Sequence, residues 1–241
     1  MPVTICFDFG NTRLKYAVFK NGQFEKSAIM DGINPSTIEK ILVEHQPQKT
    51  LLSSVINHPF ETEEALAANS KFHLLNHNSK LPFTTPVGKP ETIGADRLAL
   101  VAAAVHIFPN QHNLIIGSGS CITFNFVNKF HEFLGGSISP GMEMRFKAMN
   151  HYTAKLPLAK PDTNFPLIGY DTKTNLISGV VNGICAEIDG LIELYEERYS
   201  NFNVLLTGGD VGFFVPHLKK KIFADPELIF KGLYAISETN E

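Results

Sequence analysis

One order of elements occurs twice along this chain of 241 residues. Residues 2–45 predict strand, turn, strand, turn, strand and helix, and residues 113–150 predict the same order again. The chain shows no short repeat period, so a solenoid is excluded. Because antiparallel strands precede each helix, the pattern predicts an α/β fold with mixed sheets flanked by helices. We expect two related halves, residues 1–111 and 112–241, that meet at a cleft.

Local signals place the individual elements. Asn21-Gly22 predicts a tight hairpin turn. Residues 174–197 predict a long helix, and residues 210–219 predict a shorter one. The apolar residues 228–230 predict a last short strand, which a last helix follows.

Composition and charge exclude several classes of function. A net charge of −3 with 19% charged residues gives no basic surface for nucleic acid. The longest apolar run, residues 98–108, is too short to cross a membrane. The opening MPVTICFDFG lacks a basic n-region, and three scattered cysteines predict buried, reduced thiols. We therefore expect a cytoplasmic protein that binds neither nucleic acid nor a membrane.

A glycine turn follows the first predicted strand, in the sequence DFGNT at residues 8–12. Glycine lets the backbone approach an anion, and successive N–H groups can then bind phosphate. Asn11, Thr12 and Lys15 add hydrogen-bond donors, and the carboxylate of Asp8 suits Mg²⁺. A simple hairpin turn explains the same residues, so both interpretations stay open at this point.

A second candidate stretch is TIGADR at residues 92–97, before a predicted helix. Asp96 can act as a general base for a hydroxyl group, and Arg97 can bind a carboxylate or a phosphate. An acid in the first turn of a helix is also common without a catalytic role, because it interacts favourably with the helix dipole. Spacing alone favours this second explanation.

Three more glycine turns follow predicted strands, at residues 117–120, 135–141 and 205–210. Each turn alone requires nothing more than a sharp bend. Together with residues 8–12, they place glycine turns at strand ends in both halves. That pattern is typical of a nucleotide held by backbone amides from two domains.

Several short motifs occur in one order along nearly the whole chain. They are DFGNTRLK, PETIGADRLA, GSGSCITFNF, LGGSISPGMEMRFKAM, TAKLP, GYDT followed by ISG, LLTGGD and PELIFKGL. With these motifs the chain resembles the type III pantothenate kinases, within the superfamily of acetate kinase, sugar kinases, Hsp70 and actin. The resemblance implies two ribonuclease H-like, actin-like ATPase halves with a nucleotide cleft between them. It also implies ATP-dependent phosphorylation of pantothenate to phosphopantothenate, the first step of coenzyme A biosynthesis.

The resemblance implies ATP and Mg²⁺ as cofactors. It assigns the phosphates of ATP to two loops, with the Mg²⁺ ion at Asp8. The first loop comprises Asp8, Phe9, Gly10, Asn11, Thr12, Arg13, Leu14 and Lys15. The second loop comprises Gly119, Ser120 and Thr123.

The resemblance also implies a site for pantothenate as the small-molecule substrate. The family's GxDR motif maps onto four residues, Gly94, Ala95, Asp96 and Arg97. Asp96 is then the general base for the substrate hydroxyl. Thr172 maps onto a threonine that reaches the substrate across a dimer interface, so we expect a homodimer with its active site near that interface. Val87 stands where relatives carry a tyrosine that lines the substrate pocket.

The chain departs from the family in its second phosphate loop. Gly117 replaces an aspartate that helps to bind a monovalent cation, K⁺ or NH₄⁺, and Ser120 replaces a threonine. Asn125 stands where a carboxylate follows the loop, so we expect the cation site at Gly117 to be weak or absent. Three hypotheses follow: a pantothenate kinase with altered cation dependence, a regulator that binds nucleotide or a pantothenate-like ligand without turnover, or a kinase for another small hydroxy acid.

Overall fold

The computed structural model describes residues 2–86 and 88–240. Its contacts divide the chain into two compact units. The first unit comprises Met1–Asn110, Val127–Gly135 and Glu227–Glu241, and the second comprises Gln111–Phe126 and Gly136–Pro226. The division into two domains, residues 1–111 and 112–241, remains a prediction. The end of the chain, which that division assigns to the second half, groups with the first unit.

The first unit is built on a five-stranded mixed sheet. Its elements in chain order are β1 (Val3–Phe9), β2 (Leu14–Lys20), β3 (Gln23–Ile29), α1 (Pro35–His45), β4 (Lys49–Ser54), α2 (Phe60–Asn69), β5 (Lys71–Leu74) and α3 (Ala95–Ile107). The order across the sheet is β3-β2-β1-β4-β5. Strand β1 runs antiparallel to β2 and parallel to β4, which itself runs parallel to β5.

The remaining elements repeat that arrangement. They are β6 (His112–Ser118), β7 (Cys121–Val127), β8 (Phe133–Pro140), α4 (Met142–Tyr152), α5 (Thr172–Glu196), β9 (Phe202–Thr207), α6 (Val211–Phe214), β10 (Phe223–Ala224) and α7 (Leu228–Thr239). The second sheet has the order β8-β7-β6-β9-β10, so β6, its first strand in the sequence, is central, as β1 is in the first sheet. The prediction of two ribonuclease H-like sheets flanked by helices is confirmed.

The two faces of β1 differ in what covers them. Ile5, Phe7 and Phe9 pack into an apolar cluster with residues of α1 and α2. Because side chains alternate across a strand, Cys6 and Asp8 lie on the opposite face. Helix α7 contacts β1 and β4 there, and α3 packs against α7. The face that carries Asp8 is therefore the one that α3 and α7 cover.

Close packing between α3 and α7 depends on a glycine. A Cβ atom on Gly232 would lie 1.8 Å from the carbonyl oxygen of Ala99, which is far inside contact distance. Only a glycine lets the two backbones approach so closely. The neighbouring residues Leu228, Leu233 and Ile236 are buried at helical spacing, so one apolar stripe of α7 fills this side of the first unit.

Two predictions about the end of the chain are wrong. Residues 228–230 begin helix α7 and do not form a strand, because their apolar positions continue a helical stripe through residue 236. The helix expected over residues 210–219 ends at Phe214, and a short 3-10 helix, Val215–His217, follows it. Pro216 lies in that 3-10 helix, and proline cannot supply the N–H that a continuing α-helix needs.

Helix α5 is the long helix that the sequence predicts, and it begins slightly earlier, at Thr172. The Asp171 side chain accepts a hydrogen bond from the backbone N–H of Thr174, which fixes that start. By length and composition α5 could cross a membrane, with a mean hydropathy of 1.2 in its most apolar stretch. However, 56% of that stretch is buried, and the core helix of a globular unit passes the same test.

Candidate active site

A row of three polar residues crosses the first sheet. Asp8 near the end of β1 is paired in register with Lys15 of β2 and with Ser53 of β4. Residues paired in register on neighbouring strands point to the same face of a sheet, so all three side chains share the face that α3 and α7 cover. The sequence predicts Asp8 and Lys15 for this site, and it does not single out Ser53.

The carboxyl group of Asp8 is held in an environment that resists ionisation. Burial raises the pKa of Asp8 from its ordinary value of 3.8 to about 7. The positive charge of Lys15 opposes that rise, and the nearby carboxyl of Asp96 adds to it. A carboxyl at this pKa exchanges protons near neutral pH, which is the property of a group tuned for chemistry or for metal binding.

Asp96 lies in the first turn of α3. One of its carboxylate oxygens, Oδ1, accepts a hydrogen bond from the backbone N–H of Arg97 over 2.8 Å. Burial raises the pKa of Asp96 above its ordinary value, although this hydrogen bond and the Arg97 guanidinium oppose the rise. The first unit thus brings two partly buried acids, Asp8 and Asp96, close enough for the charge of Asp96 to disfavour ionisation of Asp8.

Gly94 leaves the space that the Asp96 carboxylate occupies. A Cβ atom at Gly94 would lie 2.5 Å from Oδ1 of Asp96, and 3.9 Å from a methyl group of Val55. A side chain at residue 94 would therefore displace the carboxylate from the N–H of Arg97. Ala95, the next residue of the motif, is buried in the helix packing, so its part in the site is to hold the turn in place.

Arg97 extends over an aromatic ring. Its guanidinium carbon lies 5.6 Å from the centre of the Phe133 ring, within the range of a cation–π contact. Phe133 is fully buried and is the first residue of β8. It lies in the segment Val127–Gly135, which belongs to the first unit. This contact orients the guanidinium group, and no short-range signal in the sequence identifies Phe133 as its partner.

The first predicted phosphate loop forms a tight turn. The N–H of Gly10 donates to the carbonyl of Arg13 over 3.2 Å, and Asn11, Thr12 and Arg13 are exposed around that turn. Leu14 begins β2 and is half-buried. The side chain of Phe9 packs in the apolar cluster below the sheet, so any contact that Phe9 makes with a ligand is through its backbone.

The second unit packs two glycine turns around one loop, the residues 118–120. A Cβ atom at Gly208 would lie 2.0 Å from the carbonyl oxygen of Ser118. A Cβ atom at Gly141 would lie 2.3 Å from the carbonyl oxygen of Gly119. Side chains at these positions would push the loop out of place, so the glycines build a cradle of bare backbone around Gly119 and Ser120.

The expected cation position lies beside that loop. Gly117, near the end of β6, is paired in register with Thr207 of β9, and as a glycine it has no side chain to offer a cation. The side-chain amide of Asn125 donates hydrogen bonds to the carbonyl oxygen of Ile115 and to Oγ1 of Thr123, each over 3.2 Å. Asn125 and Thr123 are therefore tied to each other inside the second sheet.

Thr172 lines a cavity in the second unit. The cavity has a volume of about 580 Å³ and lies between α4 and α5. Arg145, Asn175 and the apolar side chains of Met149 and Leu156 are among the residues that line it. The remaining substrate residue predicted from the sequence, Val87, lies outside the described residues.

Two units with the same strand order define the class of this protein, the actin-like ATPase and kinase fold. Among solved structures, one described as a Baf family transcriptional activator from Campylobacter jejuni has a TM-score of 0.63 at 24% identity, over 98% of both chains. Component A of (R)-2-hydroxyglutaryl-CoA dehydratase from Acidaminococcus fermentans has a TM-score of 0.52 at 14% identity, over 100% of this chain and 98% of that one. Both likenesses show the fold.

The family follows from sequence. The pattern of the type III pantothenate kinase family matches residues 4–194. A type III pantothenate kinase from Cytophaga hutchinsonii is 39% identical over 99% of this chain and 100% of its own length. The chain therefore belongs to the type III pantothenate kinase family.

A stability measurement tests the environment of Asp8. Because folding raises the pKa of this acid, the folded state binds its proton more tightly than the unfolded state does. The free energy of unfolding should fall as the pH rises from about 4 to about 7, by about 1.4 kcal/mol for each unit of pKa difference. Urea denaturation of the Asp8→Asn variant should show a smaller decline, and higher stability than wild type at alkaline pH.

The matched control is Asp171→Asn. The backbone N–H of Thr174 lowers the pKa of Asp171, so this exposed acid contributes to the pH dependence with the opposite sign. Its replacement should leave the decline between the two pH values in place. If Asp8→Asn retains the full decline, the carboxyl of Asp8 is not held as described.

Proposed function

We propose that this protein phosphorylates pantothenate with ATP, the first step of coenzyme A biosynthesis, in the cytoplasm where ATP is available. The observation that carries the proposal is the pair of partly buried carboxyls, Asp8 and Asp96, which lie near each other in the first unit. The names of the relatives support pantothenate as the substrate. A kinase needs one carboxylate for a metal and one for the attacking hydroxyl, and this pair supplies both.

The residues present fit a magnesium nucleotide. Gly10 and the cradle around Gly119 and Ser120 present bare backbone, which suits phosphate oxygens. Mg²⁺ in kinases is held by one or two carboxylates together with phosphates, so Asp8 alone is a sufficient protein ligand. When bound, ATP supplies the phosphoryl group, and Mg²⁺ neutralises charge on its phosphates.

The first loop would act through its donors. Asn11, Thr12 and Arg13 are exposed around the turn and can donate hydrogen bonds to phosphate oxygens. Lys15 adds a positive charge in the same row as Asp8. In the second loop, the hydroxyl of Ser120 keeps the chemistry of the threonine that it replaces, and Thr123 supports the loop from within the sheet.

Asp96 would accept the proton of the substrate hydroxyl. Its raised pKa brings it closer to neutrality, where a carboxylate is a stronger base. The N–H of Arg97 holds the carboxylate in one orientation, and Gly94 and Ala95 keep the turn open around it. The guanidinium of Arg97 is suited to the carboxylate of pantothenate.

The monovalent cation of the family does not fit this chain. Gly117 has no carboxylate, and the amide of Asn125 donates its hydrogen bonds to Ile115 and Thr123. A cation of this kind requires oxygen ligands, and here Gly117 offers only a backbone carbonyl and Asn125 only an uncharged amide oxygen, with no carboxylate at either position. We therefore propose a kinase whose turnover depends weakly on K⁺ or NH₄⁺.

We also propose a homodimer in which Thr172 reaches the substrate of the partner subunit. The residues before α5 expose large apolar side chains, with Leu167 79%, Ile168 83% and Tyr170 82% exposed. Tyr152 at the end of α4 is 82% exposed. Exposed apolar groups of this size around a cavity favour an interface between protein chains.

The first experiment is a turnover assay in buffer free of K⁺ and NH₄⁺. Wild-type protein with ATP, Mg²⁺ and pantothenate should form phosphopantothenate, and added K⁺ should raise the rate only weakly, because Gly117 provides no carboxylate for the ion. Product is measured by mass spectrometry, with other small hydroxy acids as parallel substrates. Faster turnover of another acid would assign the site to that substrate.

Asp96→Asn is the diagnostic variant in the same assay. It should abolish turnover while leaving ATP binding nearly unchanged, because the amide keeps the size of the carboxyl group and cannot accept the proton. Wild-type protein that binds nucleotide without turning over any acid would favour the regulator hypothesis. Retained turnover in Asp96→Asn would exclude Asp96 as the base.

A complementation experiment tests the shared site. Asp96→Asn and Thr172→Ala should each be impaired alone, since each damages a different part of every site. Co-expression should restore about a quarter of wild-type activity, because about half of the dimers are mixed and each mixed dimer has one intact site. Activity that does not exceed the sum of the two variants would show that Thr172 serves only its own subunit or none.

A further inference from the structure

We propose that Ser53 is a positioning residue for Asp8, and that its hydroxyl donates a hydrogen bond to the Asp8 carboxylate when the site holds a magnesium nucleotide. The inference rests on the proposed function, because it requires Asp8 to be the metal ligand. Ser53 lies outside every motif that identifies the family in this sequence. We infer the role from its position in the sheet, where it is paired in register with Asp8.

The geometry starts from strand pairing. Ser53 and Asp8 are partners in the parallel pair of β4 and β1, so their side chains are neighbours on one face of the sheet. Leu52, the residue before Ser53, packs into the apolar cluster on the other face. The Ser53 hydroxyl therefore points toward the side where Asp8 and Asp96 lie.

The hydroxyl of Ser53 is buried without a partner. Ser53 is 0% exposed, and its Oγ has no hydrogen-bond partner among the described residues. Its neighbours on β4 do not share this condition, since Thr50 bonds to Ser70 over 2.6 Å and Ser54 bonds to His58 over 3.0 Å. A buried unpaired hydroxyl costs free energy, and one that lies beside an acid remains available to donate a hydrogen bond to it.

Asp8 is the acceptor within reach of that hydroxyl. Lys15 flanks Asp8 on one side of the row, and Ser53 flanks it on the other. An ionised carboxylate accepts several hydrogen bonds, and a serine hydroxyl can turn between rotamers to donate one. A hydrogen bond from Ser53 would restrict rotation of the Asp8 carboxylate, so that one of its oxygens would be held toward the metal.

The test measures binding of a non-hydrolysable ATP analogue as the Mg²⁺ concentration is varied, without pantothenate. Ser53→Ala should raise the Mg²⁺ concentration at half-saturation about tenfold, which is the usual effect of losing a partner behind a metal ligand. In the turnover assay kcat should fall while the KM for pantothenate stays near the wild-type value. Ser53→Thr keeps the hydroxyl and should restore most of the Mg²⁺ affinity.

Thr62→Val is the matched control. Thr62 is also fully buried in the first unit, on α2, and its Oγ1 also lacks a partner among the described residues. Removing either unpaired hydroxyl should leave the urea midpoint unchanged or raise it, since no hydrogen bond is lost. Only Ser53→Ala should weaken the response to Mg²⁺, and a purely structural role would instead lower the midpoint.

The possible results test the role of Ser53 and the proposed kinase function separately. If wild-type protein binds the analogue and Ser53→Ala binds it with the same Mg²⁺ dependence, Ser53 does not position Asp8, and the proposed kinase function is untouched. If Ser53→Ala and Thr62→Val weaken binding equally, the effect is one of packing and the inference is wrong. If wild-type protein binds no analogue at any Mg²⁺ concentration, the proposed function itself fails.

Discussion

The burial of the Asp8 carboxyl against a sheet face is the constraint on which the candidate site depends. The central strand of the first unit must carry apolar residues to build a core, yet its sixth residue, Asp8, is an acid. Helices α3 and α7 cover that face, so Asp8 is removed from bulk water and its pKa rises to about 7. A carboxyl in this state can bind a metal and release its proton at neutral pH, which is the role that we propose for Asp8.

The rest of the first unit is arranged around that acid. Lys15 and Ser53 flank it through strand register, and the first turn of α3 places Asp96 above the same face. Glycine at residue 94 leaves room for the Asp96 carboxylate. In the second unit, the close backbone contacts at Gly141 and Gly208 build a different kind of site, in which bare peptide groups replace charges. A kinase needs both kinds, acids for the metal and the hydroxyl, and backbone donors for the phosphates.

Much of this could be predicted from the sequence, for identifiable reasons. Alternating apolar residues and the Asn21-Gly22 turn predict the β2–β3 hairpin, and both turn residues adopt positive φ angles, 51° and 80°. The turn that follows Asp8 also places Lys15 opposite it in register.

Ser53 could not be found in that way, because parallel pairing of β1 with β4 joins residues that a helix separates in the chain. Phe133 could not be found as the partner of Arg97 for a similar reason, because the two residues are far apart in the sequence. Residues 228–230 were predicted as a strand because a short apolar run does not distinguish a strand from a buried helix.

Calorimetry of nucleotide binding tests the central claim most directly. Titrations of a non-hydrolysable ATP analogue with Mg²⁺ at pH 7, in buffers of different ionisation enthalpy, report the protons released per site. A carboxyl with a pKa of about 7 is half protonated in the free protein and ionised when it binds a metal, so about half a proton should leave the wild-type site. The Asp8→Asn variant should release correspondingly less. Equal proton release from both proteins would show that Asp8 does not ionise on binding, and the account of this site would be wrong.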